Sequence, residues 1–521
     1  MASPDGASIQ PMPASERRAR ILAFAVIAGF VVLLVGFHRR PPILDLPLMF
    51  EQASAFESAL AGQRSDLWID WVGPNKFGVG VILLARLVAS AAWEPRLAVM
   101  LIAVIWLGSM YMLAARARRP IATAILVSPF LFGAGFYVGL FNFLSGAVAL
   151  CFWARELDAS RRARPWPAII ASTFAGALLL YVTHVIWLQV GGFAIATYVL
   201  LWRFRLEETL ARAAGALPVI LLTLFWSGGW APADWQPTWS MEVSPLERMT
   251  SLEVASSFAL GGISHAIEPT LLVTALVWAA LGIVRAVREK GRGTEPFLTV
   301  MALCLLIVCV FGPNQVDKMV LFSSRWGGFA CACLLIGLPQ PKVDGRLLAV
   351  LASALAASHL LVTAAIWSEY ERRFLPGFEE SITAVPEGAR LFSVDFVRAH
   401  PPLRVSPTLH LYAWAAVERG ARVESTFADT GNSVLRWMDP ASRRPLSEFF
   451  LWSPAFLRPV DLEAFTHVLV HGDARTTSRW AHGMGVFRKG IDSGDGSVVW
   501  RTLEIDRERD MTRDPGFEEQ P

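Results

Sequence analysis

The sequence predicts a polytopic α-helical membrane protein of about eleven transmembrane helices, followed by a C-terminal extracytoplasmic α/β soluble domain. Three observations carry that expectation. Of 521 residues, 54% are hydrophobic and 17% charged, with mean hydropathy +0.44, whereas charged residues alone supply about a quarter of an ordinary soluble chain. Eleven apolar stretches approach or exceed the roughly 20 helical residues that cross a 30 Å hydrocarbon core. From about Glu369 those runs stop, and the strand and helix signals of a soluble domain begin. An ordinary soluble enzyme, a disordered chain and a nucleic-acid binder working through bulk positive charge are thereby excluded.

Residues 1–20 read as a cytoplasmic tail. The first apolar stretch, Ile21 to Phe37, follows Arg17, Arg18 and Arg20 and ends in Gly36-Phe37-His38-Arg39, which lacks the small residues of a signal-peptide cleavage site, so it reads as an uncleaved anchor. Further spans are expected at 97–115, 120–133, 135–153, 168–182, 184–202, 213–229, 267–286, 297–312, 326–338 and 347–367. The stretch from Phe77 to Trp93 is apolar but short and carries Arg86, so it reads as a helix on the outer interface. The transmembrane domain is thus 21–368, with outer loops 38–96, 230–268 and 313–325. Cys151, Cys304, Cys309, Cys331 and Cys333 lie in apolar runs without zinc-site spacing.

Charge sets the expected orientation. The pieces assigned to the cytoplasm hold 19 Lys and Arg in 67 residues, against nine in 111 residues of outer loop. Basic loops stay inside, which places the N-terminus in the cytoplasm, the C-terminal domain outside (periplasmic), and the whole in a cell inner membrane. The net charge of +3 then divides into +10 inside and −7 outside.

The soluble domain, 369–521, is expected to hold strands at 390–396, 466–470 and Val498–Ile505, a helix at 408–419 stopped by Gly420, and a hairpin turn at Gly494-Asp495-Gly496. No Gly-rich phosphate loop follows any of its strands.

The uncommon polar residues collect on the outer side: Asp45, Asp66, Asp70, Lys76, His184, His265, Glu268, Asp317, Lys318 and Arg325, with Asn142 within reach. After the first span comes Arg39-Arg40-Pro41-Pro42-Ile43-Leu44-Asp45-Leu46-Pro47, then an amphipathic stretch to Ala61-Gly62, then Lys76 before the apolar run at Phe77. This pattern resembles the first outer loop of the GT-C superfamily, the multi-span glycosyltransferases that use polyprenyl-phosphate-linked sugars. The resemblance spans roughly residues 20–370 in architecture. It implies a transferase in the cell envelope with a lipid-linked sugar as donor, and an extracytoplasmic glycan, lipid or protein as acceptor. Two departures stand out: Asp45 is a lone acid rather than one of an adjacent pair, and the turn around Gly133 to Asn142 has no carboxylate. No metal ligand set and no cofactor emerge, although a divalent ion is not ruled out by sequence.

The chemistry asks for a base to take the acceptor hydroxyl proton and for cations to hold the phosphate leaving group. A phosphate leaves without acid assistance, so one carboxylate suffices where a glycosidase needs two. Asp45 is the candidate base. Arg325, with Lys76, Arg86 or Lys318, is the candidate phosphate clamp, and His184, His265 and Asn142 are further candidate substrate contacts. Plainer roles compete. Asp45 before Leu46-Pro47 suits a helix N-cap; Arg325, Lys76 and Arg86 suit interfacial anchors; and Asp66 and Asp70, whose i, i+4 spacing would put them on one helix face as a metal or base site, suit a solvated loop better. The glycines Gly135, Gly139 and Gly146 beside Asn142 suit close packing. Trp226, Trp230, Trp235 and Trp239 suit an aromatic belt as well as a sugar platform. Alternative functions are a lipid-linked-sugar transporter, an envelope-assembly scaffold, or a glycan polymerase or ligase.

Overall fold

The computed structural model describes residues 13–159, 164–202, 204–228, 239–261, 267–316, 321–397, 400, 403–429, 433–439, 453–488 and 498–509. Seven helices among them are long and apolar enough to cross a membrane: Ala14–Phe37, Glu94–Arg116, Trp166–Thr183, Val185–Trp202, Leu206–Gly228, Ile267–Arg288 and Gly345–Phe374. The remaining four predicted spans also form apolar helix but as shorter pieces. Ile121–Val127 passes into a 3-10 turn at Ser128–Phe132, the 135–153 span is broken, Pro296–Phe311 is 16 residues, and Gly327–Gly337 is 11. Phe77–Val88 is a helix of 12 residues, about 18 Å long and too short to cross the hydrocarbon core.

The break in the predicted 135–153 span has a clear cause. Ala134–Tyr137 forms one helical turn, Gly139 adopts φ +86°, and the helix resumes at Phe141. The carbonyls freed by the break accept hydrogen bonds from the first outer loop: Leu44 N–H to Tyr137 at 2.9 Å and Asp45 N–H to Val138 at 2.9 Å. A Cβ on Gly139 would lie 2.8 Å from Ile43 Cγ2, so a glycine is required both by the backbone angle and by the loop seated against it. Gly146 fills the expected packing role, since its Cβ position falls 2.1 Å from the Trp187 ring.

The soluble domain is a four-stranded sheet in the order β5-β4-β7-β8, with β4 Arg390–Asp395, β5 Arg422–Val423, β7 His467–Asp473 and β8 Val498–Glu504. β4 pairs parallel with β5 and β7, and β8 closes the sheet antiparallel to β7. The three predicted strands are all present. The predicted helix is shorter than expected, Ala413–Arg419, with Gly420 in the left-handed region at φ 61°. Residues 408–412 instead form tight turns, because Thr408 and His410 point to different tertiary partners that a regular helix would not reach together. The Gly494–Gly496 turn lies outside the described residues.

The C-terminal α/β region is fastened to the loop that follows the first helix. β1, Leu67–Ile69, pairs antiparallel with β6, Leu435–Trp437. Arg40 is buried and donates to Glu379 at 3.0 and 3.2 Å and to Glu418, its guanidinium 4.4 Å from the Trp414 ring centroid. His38 pairs with Glu371 at 3.0 Å. Farther along the chain, β2, Trp239–Ser240, in the 230–268 loop pairs antiparallel with β3, Gln315–Val316, in the 313–325 loop.

Candidate functional site

Asp45 stands at the start of the helix Leu46–Leu60, with Pro47 in its first turn, yet its side chain makes no capping hydrogen bond. The carboxylate turns instead to the soluble domain: Oδ1 lies 2.9 Å from His410 Nδ1, and each side chain keeps about 15% of its surface open. The plain N-cap reading therefore accounts for where the helix begins but not for where the carboxylate points.

Arg325 is buried in the 3-10 turn Ser324–Trp326 that leads into the helix Gly327–Gly337. Its Nε donates to the Leu321 carbonyl at 3.2 Å, and its guanidinium lies 5.6 Å from the Phe143 ring centroid. Among the described residues, Asp45 is an acidic group near enough to act on it electrostatically. Arg325 lines a narrow cleft with Gly133, Gly135, Phe136, Phe143 and Phe329. Asp45 is not in that lining, but it packs on Val138 and Gly139, directly after the short helix that forms one wall.

His184 breaks the apolar run as expected, between Trp166–Thr183 and Val185–Trp202. It is buried, meets Phe143 edge to face at 5.7 Å, and accepts the Ile186 N–H on Nδ1 at 3.3 Å. The first outer loop docks on this same hairpin: Asn75, in the left-handed region, accepts the Val185 N–H at 3.1 Å, and the Lys76 N–H donates to Val182 at 2.8 Å. Lys76 Nζ donates to the Trp71 carbonyl and lies in the field of Asp70.

Other sequence candidates are committed to structure. Arg86 donates to Glu57, to Glu94 at 3.2 Å, to Ser54 at 2.8 Å and to the Phe50 carbonyl at 3.3 Å, stapling three helices together. Asn142 Oδ1 accepts the Gly78 N–H at 2.6 Å. Asp66 and Asp70 share no helix face, because the residues between them form β1. Asp66 pairs with Arg64 at 2.8 Å, and that bond holds its carboxyl below the usual range. Asp70 is buried between Arg436, Trp226 Nε1 at 3.2 Å and the Gly73 N–H at 2.8 Å. Trp226 thus serves an ion pair, while Trp230 and Trp235 lie outside the described residues. His265, Asp317 and Lys318 also lie outside them.

Sequence reasoning missed two contributors from the soluble domain. His410 sits 365 residues from Asp45, and Arg404 Nε lies 3.6 Å from the buried Glu268. Nothing local in the sequence marks either one, because their role depends on how the domain docks.

Fold and site together define a polytopic membrane protein in which the loop after the first helix, a broken apolar helix and the C-terminal α/β region meet at the Asp45 carboxylate. Solved structures share that fold, two of them being forms of one protein. ArnT from Cupriavidus metallidurans bound to undecaprenyl phosphate matches with TM-score 0.52 at 11% identity, covering 95% of this chain and 98% of that one. ArnT from the same organism in the apo state matches with TM-score 0.51 at 12% identity, covering 94% and 99%. The architecture expected from the first-loop resemblance is thus borne out at the level of fold. No family model matches the sequence, and a search of curated proteins returns no relative.

Proposed function

We propose that this protein is a membrane glycosyltransferase that moves a sugar from a polyprenyl-phosphate donor to an extracytoplasmic acceptor, a glycan, lipid or protein. The observation that carries the reading is the Asp45 carboxylate, which leaves its own helix uncapped and is held by His410 in the field of Arg325. The same fold in ArnT has been seen with undecaprenyl phosphate.

In this reading Asp45 is the general base. His410 donates to Oδ1 and fixes the carboxylate, leaving Oδ2 to take the acceptor hydroxyl proton as the oxygen attacks the anomeric carbon. The bond to the lipid phosphate breaks in the same displacement, so the anomeric centre inverts. Arg325, assisted by Lys76, holds the departing phosphate through charge-assisted hydrogen bonds that strengthen as negative charge grows on it. His184 and Phe143 shape the wall beside Arg325. Arg86 and Asn142 are left out of the substrate set, because their polar groups already hold helices together.

The test uses purified full-length protein, undecaprenyl-phosphate pentose or hexose radiolabelled in the sugar, and a native envelope fraction as acceptor. Wild type should transfer label covalently. Asp45→Asn should abolish transfer while still binding undecaprenyl phosphate, and Arg325→Gln should weaken that binding at least tenfold. Full transfer by Asp45→Asn overturns the assignment of the base. Movement of labelled donor across vesicles without covalent transfer overturns the enzyme reading in favour of transport.

A further inference from the structure

The contact between Asp45 and His410 gives the site a property that a lone carboxylate lacks. His410 Nδ1 stands 2.9 Å from Asp45 Oδ1. A carboxylate only accepts, so a neutral imidazole here carries its proton on Nδ1 and its lone pair on Nε2. Nε2 bonds to none of the described residues and is not enclosed by them. The two side chains keep 15% and 14% of their surface open, so Nε2 takes a proton from the medium without any part of the fold opening.

Neighbouring histidines do not have that access. His184 is buried against Phe143. His400 and His471, in the same domain as His410, are 1% and 0% exposed. They belong to a closed group. Asp395 Oδ1 accepts the Val397 N–H at 2.7 Å and stands 2.9 Å from His471 Nδ1. Thr408 donates its hydroxyl to Asp395 Oδ2 at 2.7 Å and lies 2.7 Å from His400 Nε2. This group is the footing of the turn that carries His410. Thr408 is two residues before it, Leu409 and Leu411 on either side are buried, and the Tyr412 hydroxyl donates to the Ser425 carbonyl at 3.1 Å. The ring is therefore fixed against Asp45, and Nδ1 donates whether or not Nε2 is protonated.

Charged groups on the surrounding elements are engaged elsewhere. On the helix Ala413–Arg419, Glu418 holds Arg40, and Arg419 donates to the Val385 carbonyl at 3.0 Å. On the helix Leu46–Leu60, Glu57 holds Arg86, and Glu51 is buried. In the segment of His410 itself, Arg404 faces Glu268 at 3.6 Å, and the Tyr412 ring stands edge-on at 6.1 Å. Arg325 acts on Asp45 electrostatically. Among the described residues, Asp45 is thus the carboxylate that answers a charge on His410.

We propose that His410 makes sugar transfer sensitive to acidification of the medium that bathes the C-terminal domain, by placing a full positive charge beside Asp45 when Nε2 is protonated. The inference rests on the reading of Asp45 as the base. Protonation turns a neutral donor into a cation and leaves the 2.9 Å hydrogen bond in place. A cation this close favours the ionised carboxylate, so Asp45 draws the acceptor proton less readily and the displacement slows. The proton on Nε2 comes from the medium and returns to it as the pH rises, so the change is reversible.

The experiment measures initial transfer rates of the purified full-length protein, with sugar-labelled undecaprenyl-phosphate donor and envelope fraction, at constant ionic strength from about pH 5 to 8, where imidazoles change charge. Wild type should slow by roughly 3–30-fold on acidification across that range, a part of the roughly 100–10,000-fold that a general base supplies. His410→Gln donates to the carboxylate but takes up no charge. It should be slower than wild type at the alkaline end, yet change by less than about twofold across the range. Melting curves at both ends check that the fold persists. A flat wild-type profile, a rate that rises on acidification, or the wild-type step retained in His410→Gln overturns the inference while leaving Asp45 as the base. No transfer at any pH overturns the transfer reading and the inference with it.

Discussion

Arg40→Met should loosen the soluble domain from the first outer loop, and the structure sets the size of the effect. The Arg40 side chain is 6% exposed and donates to two carboxylates while resting on Trp414. Removing one partner of a buried pair costs about 3–5 kcal/mol, mainly from the charge left behind. Here Glu379 keeps Arg39 at 3.0 Å, and Glu379 and Glu418, 31% and 35% exposed, regain water, so the expected loss falls to about 2–3 kcal/mol. For a domain of about 150 residues that corresponds to a drop in melting temperature of roughly 5–10 °C. Fluorescence-detected melting of the detergent-purified protein measures it, with limited proteolysis of residues 369–521 as a second readout. Arg40→Lys should recover only part of the loss, because an ammonium cannot make the paired contact to Glu379. Melting of Arg40→Met within about 2 °C of wild type, with unchanged proteolysis, would refute the view that this ion cluster docks the domain.

Other outcomes follow from individual contacts. His410→Ala should fold but lower transfer by roughly 10–100-fold if it positions Asp45, whereas His410→Gln, able to donate to the carboxylate, should recover part of it; labelled-donor assays on both decide. Gly139→Ala should strain the backbone and press on Ile43, costing about 1–3 kcal/mol by melting and depressing transfer through displacement of the Asp45 loop. Asp473 caps the helix Ala474–Met484 by accepting the Thr476 N–H, so Asp473→Ala should cost about 1 kcal/mol. Burial works to raise that carboxyl, but its hydrogen bonds to Thr476 hold it below the ordinary value. The cap's contribution is therefore present above about pH 4 and lost as pH falls through the lowered value, which melting at pH 7 and pH 3 can compare.

Helix-forming segments were legible because burial in lipid imposes a one-dimensional requirement, a run of apolar residues, that composition displays directly. Strands β4 and β7 were legible for a related reason, being mainly apolar stretches of strand length, and β8 through its mixed alternation. The 135–153 span was misread as continuous, since its break at Gly139 is stabilised by hydrogen bonds from Leu44 and Asp45, about 95 residues earlier in the chain. The 408–419 helix was overextended for the same kind of reason, its first residues being drawn to Asp395 and Asp45. Asp70 looked like a loop carboxylate because its partner, Arg436, arrives only when β1 and β6 pair.

By itself the sequence determined that the chain is a polytopic helical membrane protein with an α/β region at its C-terminal end. This follows from local hydropathy and its periodicity. The tertiary structure alone decided what Asp45 does: whether it caps its helix or turns to His410 depends on a domain hundreds of residues away. It also decided that Arg86 joins three helices through Glu57, Ser54 and Glu94, and that Asp395, His400 and His471 meet at all. A side chain's chemistry is local, but which partners complete it depends on packing between distant segments, and no periodicity in the sequence records that.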